Sequence, residues 1–290
     1  MTSTLTIDNA TIGEGYPTFI IAEIGINHNG DINLAKRLIS IAVAAGCNAV
    51  KFQKRTVDVV YTPEELAKPR ESVFGLTNGD LKRGLEFNQA QYAEIDAYCK
   101  QANMPWFASC WDEASVDFIS QFNPPCYKIA SACLTDHNLL RHTRSKNRPI
   151  ILSTGMSTLN QIDAAVQVLG TKDLVIMHAC STYPSKYEEL NLRVIPMLRE
   201  RYKAPVGYSG HETGLASTVA AVVLGACVIE RHITVDRALW GSDQAASLEP
   251  NGINKLIRDI RLVETSLGSA DKKVQLSEIP VMQKLRRVGI

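Results

Sequence analysis

The sequence predicts an α/β fold, a (β/α)8 TIM barrel preceded by a short N-terminal β-hairpin extension. Three observations predict it. Eight short apolar runs recur between Phe19 and Ile233, helix-like stretches separate them, and polar residues interrupt their carboxyl ends. A doubly wound open sheet is the rival, but eight successive parallel strands favour closure.

The runs are FIIAEI, NAVKFQ, PWFASC, CYKIAS, PIILST, LVIMHA, PVGYSG and CVIERHI. Continuous apolar character over so few residues suits strands buried on both faces. Helices are expected over 33–45, 88–102, 112–122, 136–144, 158–169, 188–201, 215–224 and 252–265, which completes eight units. In the first helix Leu34, Leu38, Ile41 and Ala45 recur at helical spacing and offer one face to the sheet. Thr158 suits an N-cap, and Gly225 suits the end of the seventh helix.

Ahead of the barrel, residues 1–15 form the N-terminal extension, in which TLTI is expected to pair with the IGEG segment and close the barrel bottom. The longest irregular stretch, 54–86, is rich in charge and turn residues. It follows the second strand on the side where barrel active sites form, as a lid or as a solvated insertion. The tail, 272–290, lies on the surface or crosses a subunit boundary. One catalytic domain over 1–290 is the simplest organisation.

Thirty-one Lys and Arg against thirty Asp and Glu give a charge of +1, so no global field draws in nucleic acid or an anionic membrane. No run reaches the length of a membrane span and no secretory pattern opens the chain, which points to a cytoplasmic protein. Seven scattered cysteines give neither a disulfide framework nor a thiolate zinc site. Cys110 and Cys180, after apolar runs, either line a pocket or fill the core. A P-loop, a nucleophile elbow and a Rossmann fingerprint are all missing, which argues against a nucleotide cofactor.

The strand ends carry the chemistry. Glu23 ends the first run, with Asn27 and His28 in its loop. A screened carboxylate there can position a substrate or transfer a proton, or it can be satisfied structurally. Lys51 and Gln53 share one side of the second strand, and Lys128 ends the fourth. Ser109, Ser131, Ser153 and Ser209 stand at comparable strand-end positions, so the lysines and hydroxyls can converge on an anion. His211 and His232 follow the adjacent seventh and eighth strands. Barrel closure brings them together as ligands of a divalent metal or as hydrogen-bonded structural residues, with Asp243 and Glu23 approaching from neighbouring loops.

The segments AEIGINHNG, VKFQ, YKIAS, ILSTGMS, SxYP, GYSGHE and GSDQAASLEP together resemble the N-acetylneuraminate (sialic acid) synthase family along nearly the whole chain. The resemblance implies a barrel enzyme that condenses phosphoenolpyruvate with N-acetylmannosamine or a related amino-sugar aldehyde and releases phosphate. It implies a divalent metal, manganese in the first place, with magnesium or cobalt as alternatives. Carried over by position, it makes Lys51, Ser109, Lys128, Ser131, Ser153, Ser181 and Ser209 the phosphoenolpyruvate ligands. Glu23, Gln53, Tyr183 and Asp243 fall on the sugar side, with Glu23 the general acid or base, and His211 and His232 become metal ligands.

The resemblance also implies a homodimer. Two departures accompany it. The expected form is short, without the C-terminal antifreeze-like domain, so the sugar-binding arginine that this domain normally supplies has no identifiable counterpart, and a separate partner domain is one alternative. Gln244 replaces a His, and Ser181 an Asn. Pseudaminic or legionaminic acid synthesis, and a non-catalytic sugar-phosphate-binding barrel, are the alternatives.

Overall fold

A computed structural model describes residues 4–288. Residues 1–3 of the expected extension and 289–290 of the expected tail lie outside the described residues. In chain order the elements are β1 (Leu5–Ile7), β2 (Ala10–Ile12), β3 (Phe19–Gly25), α1 (Ile32–Ala45), β4 (Ala49–Lys54), α2 (Val57–Val60), α3 (Pro63–Leu66), β5 (Pro69–Ser72), β6 (Gly75–Thr77), α4 (Asn78–Gly84), α5 (Gln89–Gln101) and β7 (Trp106–Cys110). They continue as α6 (Glu113–Ser120), β8 (Tyr127–Ile129), α7 (His137–Arg144), β9 (Ile150–Ser153), α8 (Leu159–Leu169), β10 (Leu174–Ala179), α9 (Val194–Tyr202), β11 (Val206–Gly210), α10 (Ala216–Val223), β12 (Val228–His232), α11 (Pro250–Leu267) and α12 (Ile279–Leu285). The eight expected strands close into a parallel barrel in the order β3, β4, β7, β8, β9, β10, β11, β12 and back to β3. No helix among the described residues is long and apolar enough to cross a membrane.

Strand alternation divides each barrel residue between two environments. Ile20, Ala22 and Ile24 of β3 face outward into the main core beneath the helices. Phe19 and Ile21 face inward, with Ala49, Phe107, Ile151, Val175 and Val228, and this inner layer packs on Leu5, Ile7 and Ile12 of the N-terminal hairpin. Burying three such aliphatic side chains stabilises this plug by about 1.5–3 kcal/mol each. Further along the same inward rows the residues turn polar: Glu23 after Ile21, Lys51 after Ala49, Ser109 after Phe107, Ser153 after Ile151 and Glu230 after Val228. The barrel is therefore dry at one end and polar at the other.

Several expectations need correction. The expected hairpin forms in antiparallel register, but the partner of Leu5–Ile7 is Ala10–Ile12, which shares only Ile12 with the IGEG segment. The buried stripe of α1 is Ala35, Leu38, Ile39, Ala42 and Ala45, with Leu34 and Ile41 only half-buried at its edge. α9 begins at Val194 rather than at residue 188, because Tyr187–Glu189 forms a 3-10 turn and Asn191 takes a positive φ of 45°.

The stretch 54–86 is folded rather than irregular, holding α2, α3, the β5–β6 hairpin and α4. Its elements rest on local polar devices. Thr62 caps α3, and a Thr77–Asp80 capping box opens α4. Lys54 at 3.0 Å and Arg55 at 3.0 Å clasp Glu86 at the far end of the segment.

Candidate active site

A cavity of about 290 Å³ opens at the polar end of the barrel. Twelve of the thirteen residues singled out above line it: Glu23, Lys51, Gln53, Ser109, Lys128, Ser131, Ser153, Ser181, Tyr183, Ser209, His211 and His232. Asp243 does not. Its carboxylate instead approaches His232 Nδ1 at 3.8 Å. Among the charged residues on the wall one was not foreseen, Glu230, although it lies two positions before His232 on one strand, the spacing that turns both side chains to one side. Trp111 and Met156 also line the cavity.

On the floor, Lys51 Nζ meets Glu23 at 2.8 Å, Ser109 Oγ at 2.8 Å and Glu230 at 3.5 Å. Lys128 Nζ donates to Ser153 Oγ at 2.6 Å and stands 3.9 Å from Glu230. Ser209 Oγ donates to Glu230 at 3.1 Å, so this carboxylate bridges three strands. Gln53 Nε2 donates to the other oxygen of Glu23 at 3.1 Å. Ser131 and Ser181 converge over Gly155, where an added Cβ would lie 2.2 Å from Ser181 Oγ and 2.9 Å from Ser131 Oγ. Gly25, at a φ of 55°, bends the chain away immediately above Glu23, as a side chain there would not readily permit.

The two carboxylates share one cluster and end in opposite states. Burial pushes Glu23 up to about 7, against the pull of Lys51 and with the nearby Glu230 charge adding to the rise. Burial works the same way on Glu230, but Lys128 and Lys51 outweigh it and hold that group down at about 2. For Lys128 burial wins over Glu230 and lowers it to about 8. Burial also lowers Lys51, but Glu23 and Glu230 more than offset this and raise it. Near neutral pH the floor thus holds a fixed anion between two cations, and beside them a carboxyl able to gain or lose a proton.

At the rim the His211 and His232 rings lie 5.6 Å apart, centre to centre, with the Tyr183 ring 4.2 Å and 5.7 Å from them. His211 Nδ1 lies 2.7 Å from the Cys180 carbonyl, a contact that requires the proton on Nδ1 and leaves Nε2 as a free donor atom. Buried His232 Nδ1 has no hydrogen-bond partner. Burial, with His232 beside it, lowers His211 to about 4, and burial lowers His232 as well, so both rings are neutral. Neutral imidazoles suit a borderline divalent cation. No group of three or more His, Cys, Asp or Glu side chains among the described residues is assembled for a metal, so the histidines make a two-donor set.

His28 belongs to the scaffold. It accepts from Gly30 N at 3.0 Å, stacks on Phe87 at 4.1 Å, and burial lowers it to about 3. Six cysteines are buried and Cys180 is half-buried, its carbonyl rather than its thiol serving the rim.

Residues 38–272 match the model of the NeuB family. Over 279 residues the chain is 40% identical to the human N-acetylneuraminate-9-phosphate synthase, spanning 94% of this chain and 78% of that protein. It is 34% identical over 285 residues to the N,N'-diacetyllegionaminic acid synthase of Legionella pneumophila, spanning 95% and 80%. The structure is similar to that of N-acetylneuraminic acid synthetase from Leptospira borgpetersenii in complex with citrate. That likeness has a TM-score of 0.87 at 31% identity and covers 99% of both chains.

Proposed function

The chain belongs to the NeuB family, and on that footing we propose that it joins phosphoenolpyruvate to N-acetylmannosamine or a close N-acylamino-hexose aldehyde. The coarser activity, a phosphoenolpyruvate-dependent condensation that yields a nonulosonic acid, is common to the family's named synthases. The observation that carries the reading is the meeting of Lys51, Lys128 and the strand-end hydroxyls with two adjacent histidines in one cavity.

In this reading Lys51 and Lys128 hold the carboxylate and phosphate of phosphoenolpyruvate, and Ser109, Ser131, Ser153, Ser181 and Ser209 donate to the remaining oxygens. The lysines remain charged binders and form no Schiff base. Gln53 and Tyr183 orient the acceptor so that its aldehyde carbon faces carbon 3 of the enol phosphate, while Asp243 stands behind His232. A new carbon–carbon bond forms there, water adds at carbon 2, and phosphate leaves with the bridging oxygen. Glu23, balanced near neutrality, gives or takes the proton at the reacting oxygen.

His211 and His232 would hold a divalent cation, manganese in the first place. When bound, it polarises the acceptor aldehyde. The serines leave the phosphate group free to depart, since no side chain of the floor becomes covalently attached.

The test is phosphate release with phosphoenolpyruvate, Mn2+ and a panel of acceptors. Phosphoenolpyruvate contributes three carbons, so a product phosphorylated at carbon 9 derives from a hexose phosphorylated at carbon 6. The panel therefore holds N-acetylmannosamine, its 6-phosphate and 2,4-diacetamido-2,4,6-trideoxyhexoses. Chelation should stop release and Mn2+ should restore it. Turnover untouched by chelation, or a lysine adduct trapped by borohydride, refutes the reading.

A further inference from the structure

Behind the histidine pair, on the outer side of the same two strands, lies a second polar cluster. Arg231 and Glu212 are both 0% exposed, and each is the sequence neighbour of a rim histidine. β11 and β12 run parallel with Gly210 opposite Arg231, so Arg231 points away from the cavity that His232 and Glu230 face. Its guanidinium donates to the Glu212 carboxylate at 3.3 Å, the Glu212 carbonyl at 2.6 Å, the Gly214 carbonyl at 3.0 Å and Thr218 Oγ1 at 2.7 Å. The Glu212 carboxylate also accepts from Tyr208 Oη at 2.9 Å and from Thr218 Oγ1 at 2.9 Å. Strand β12, the turn after β11 and the first helical turns of α10 are thereby tied at one point.

Space for this knot is reserved by Gly210. A Cβ there would lie 2.7 Å from Glu212 Oε2, 2.8 Å from the Tyr208 ring and 3.0 Å from Arg231 Cδ. A buried ion pair is a poor source of stability, because desolvation offsets most of its attraction and apolar residues of similar volume commonly replace it without loss. What a pair held by this many hydrogen bonds, with Arg231 Nε alone of the guanidinium nitrogens unpartnered, does supply is a fixed backbone position at both of its ends. Those ends are the residues after His211 and before His232.

We propose that the Arg231–Glu212 pair is a positioning device that sets the separation and aim of His211 and His232 for a divalent cation. The inference rests on the reading of these histidines as metal ligands. Arg231, Glu212, Thr218 and Tyr208 do not line the cavity and act through the backbone of the two ligands. A lost supporting contact of this kind weakens metal affinity by about 10- to 100-fold.

The experiment measures Mn2+ affinity by calorimetry and by the electron paramagnetic signal of free Mn2+, in the wild-type chain and in Glu212→Gln, Arg231→Met and Tyr208→Phe. Phosphoenolpyruvate affinity without metal and the urea midpoint are read on the same samples. The expected result is Mn2+ binding weakened about tenfold or more in the two charge variants and about threefold in Tyr208→Phe. Metal-free phosphoenolpyruvate affinity should stay within twofold.

Unchanged Mn2+ affinity in a folded variant overturns the proposal, as does an equal loss of both ligands, which would mean a loosened barrel mouth. Should the charge variants not fold, Tyr208→Phe, which removes one hydroxyl and no charge, decides the matter by the same criterion. Absence of Mn2+ binding in the wild type refutes the metal reading itself, a result distinct from retained binding in the variants.

Discussion

Replacing Lys128 by Met tests the anion-binding floor most directly. The substitution keeps the aliphatic stem and removes one buried ammonium that donates to Ser153 at 2.6 Å and faces Glu230 at 3.9 Å. A charge-assisted hydrogen bond to a substrate anion contributes about 1.5–3 kcal/mol, which is about 10- to 150-fold in Kd for phosphoenolpyruvate. Part of this loss is recovered, because Glu230 loses one of the two cations that keep it ionised and becomes easier to protonate. The expected weakening is therefore nearer the lower end, about 10- to 30-fold.

A pH signature accompanies the loss. Lys128 is lowered to about 8 in the free protein, so it carries its charge below that pH and sheds it above. Wild-type affinity should fall as pH rises through 8, by at most about tenfold per unit, while Lys128→Met should lose this alkaline decline and keep only the change near 7 that accompanies ionisation of Glu23. Calorimetric titration of folded protein from pH 6.5 to 9.5 reads both effects. A variant within twofold of wild type at pH 7, or one that keeps the alkaline decline, refutes the assignment.

Three further outcomes are expected. Glu23→Gln should lower kcat by about 10²- to 10⁴-fold with a smaller change in KM, and the limb of the pH–rate profile near 7 should vanish; a profile that retains that limb assigns it elsewhere. Gly155→Ala should weaken phosphoenolpyruvate at least tenfold by driving a methyl group against Ser181 and Ser131, and wild-type affinity in a folded variant would mean that these hydroxyls do not form the anion cradle. If the folded segment between Arg55 and Glu86 closes over the substrates, its amides should exchange more slowly with both ligands bound, and unchanged exchange at saturation would show that it is a fixed insertion.

The barrel was legible because each strand is buried on both faces and so appears as an uninterrupted apolar run, with its polar residue displaced to the carboxyl end. That displacement also exposed the site. Lys51, Lys128 and the serines break apolar runs where a packed core has no use for them. Glu230 was not legible because in VIERHI it reads as half of a Glu–Arg charge pair before the one histidine, although period-two alternation turns it to the same side as His232. The elements between Lys54 and Glu86 were not legible, since four-residue helices and a short hairpin carry too few apolar positions to set a period. They depend on caps and on the Glu86 clasp, which only the folded chain brings together. The burial stripe of α1 was shifted because Leu34 and Ile41, apolar like the stripe, sit at the margin of the helix–sheet contact.

Glu230, held between Lys51 and Lys128, gives the pocket a resident counter-ion. An arriving anion meets ammonium groups that are already partnered, so its binding is an exchange of partners and gains less than attraction to bare cations would provide. The same arrangement favours departure. In the proposed reaction the lysines return to the waiting carboxylate as a phosphate ion leaves, instead of to an uncompensated charged state in a buried cavity. In that reaction an anion built into the wall thus opposes tight retention of the spent group, while two lysines against one fixed carboxylate leave positive charge for the next substrate.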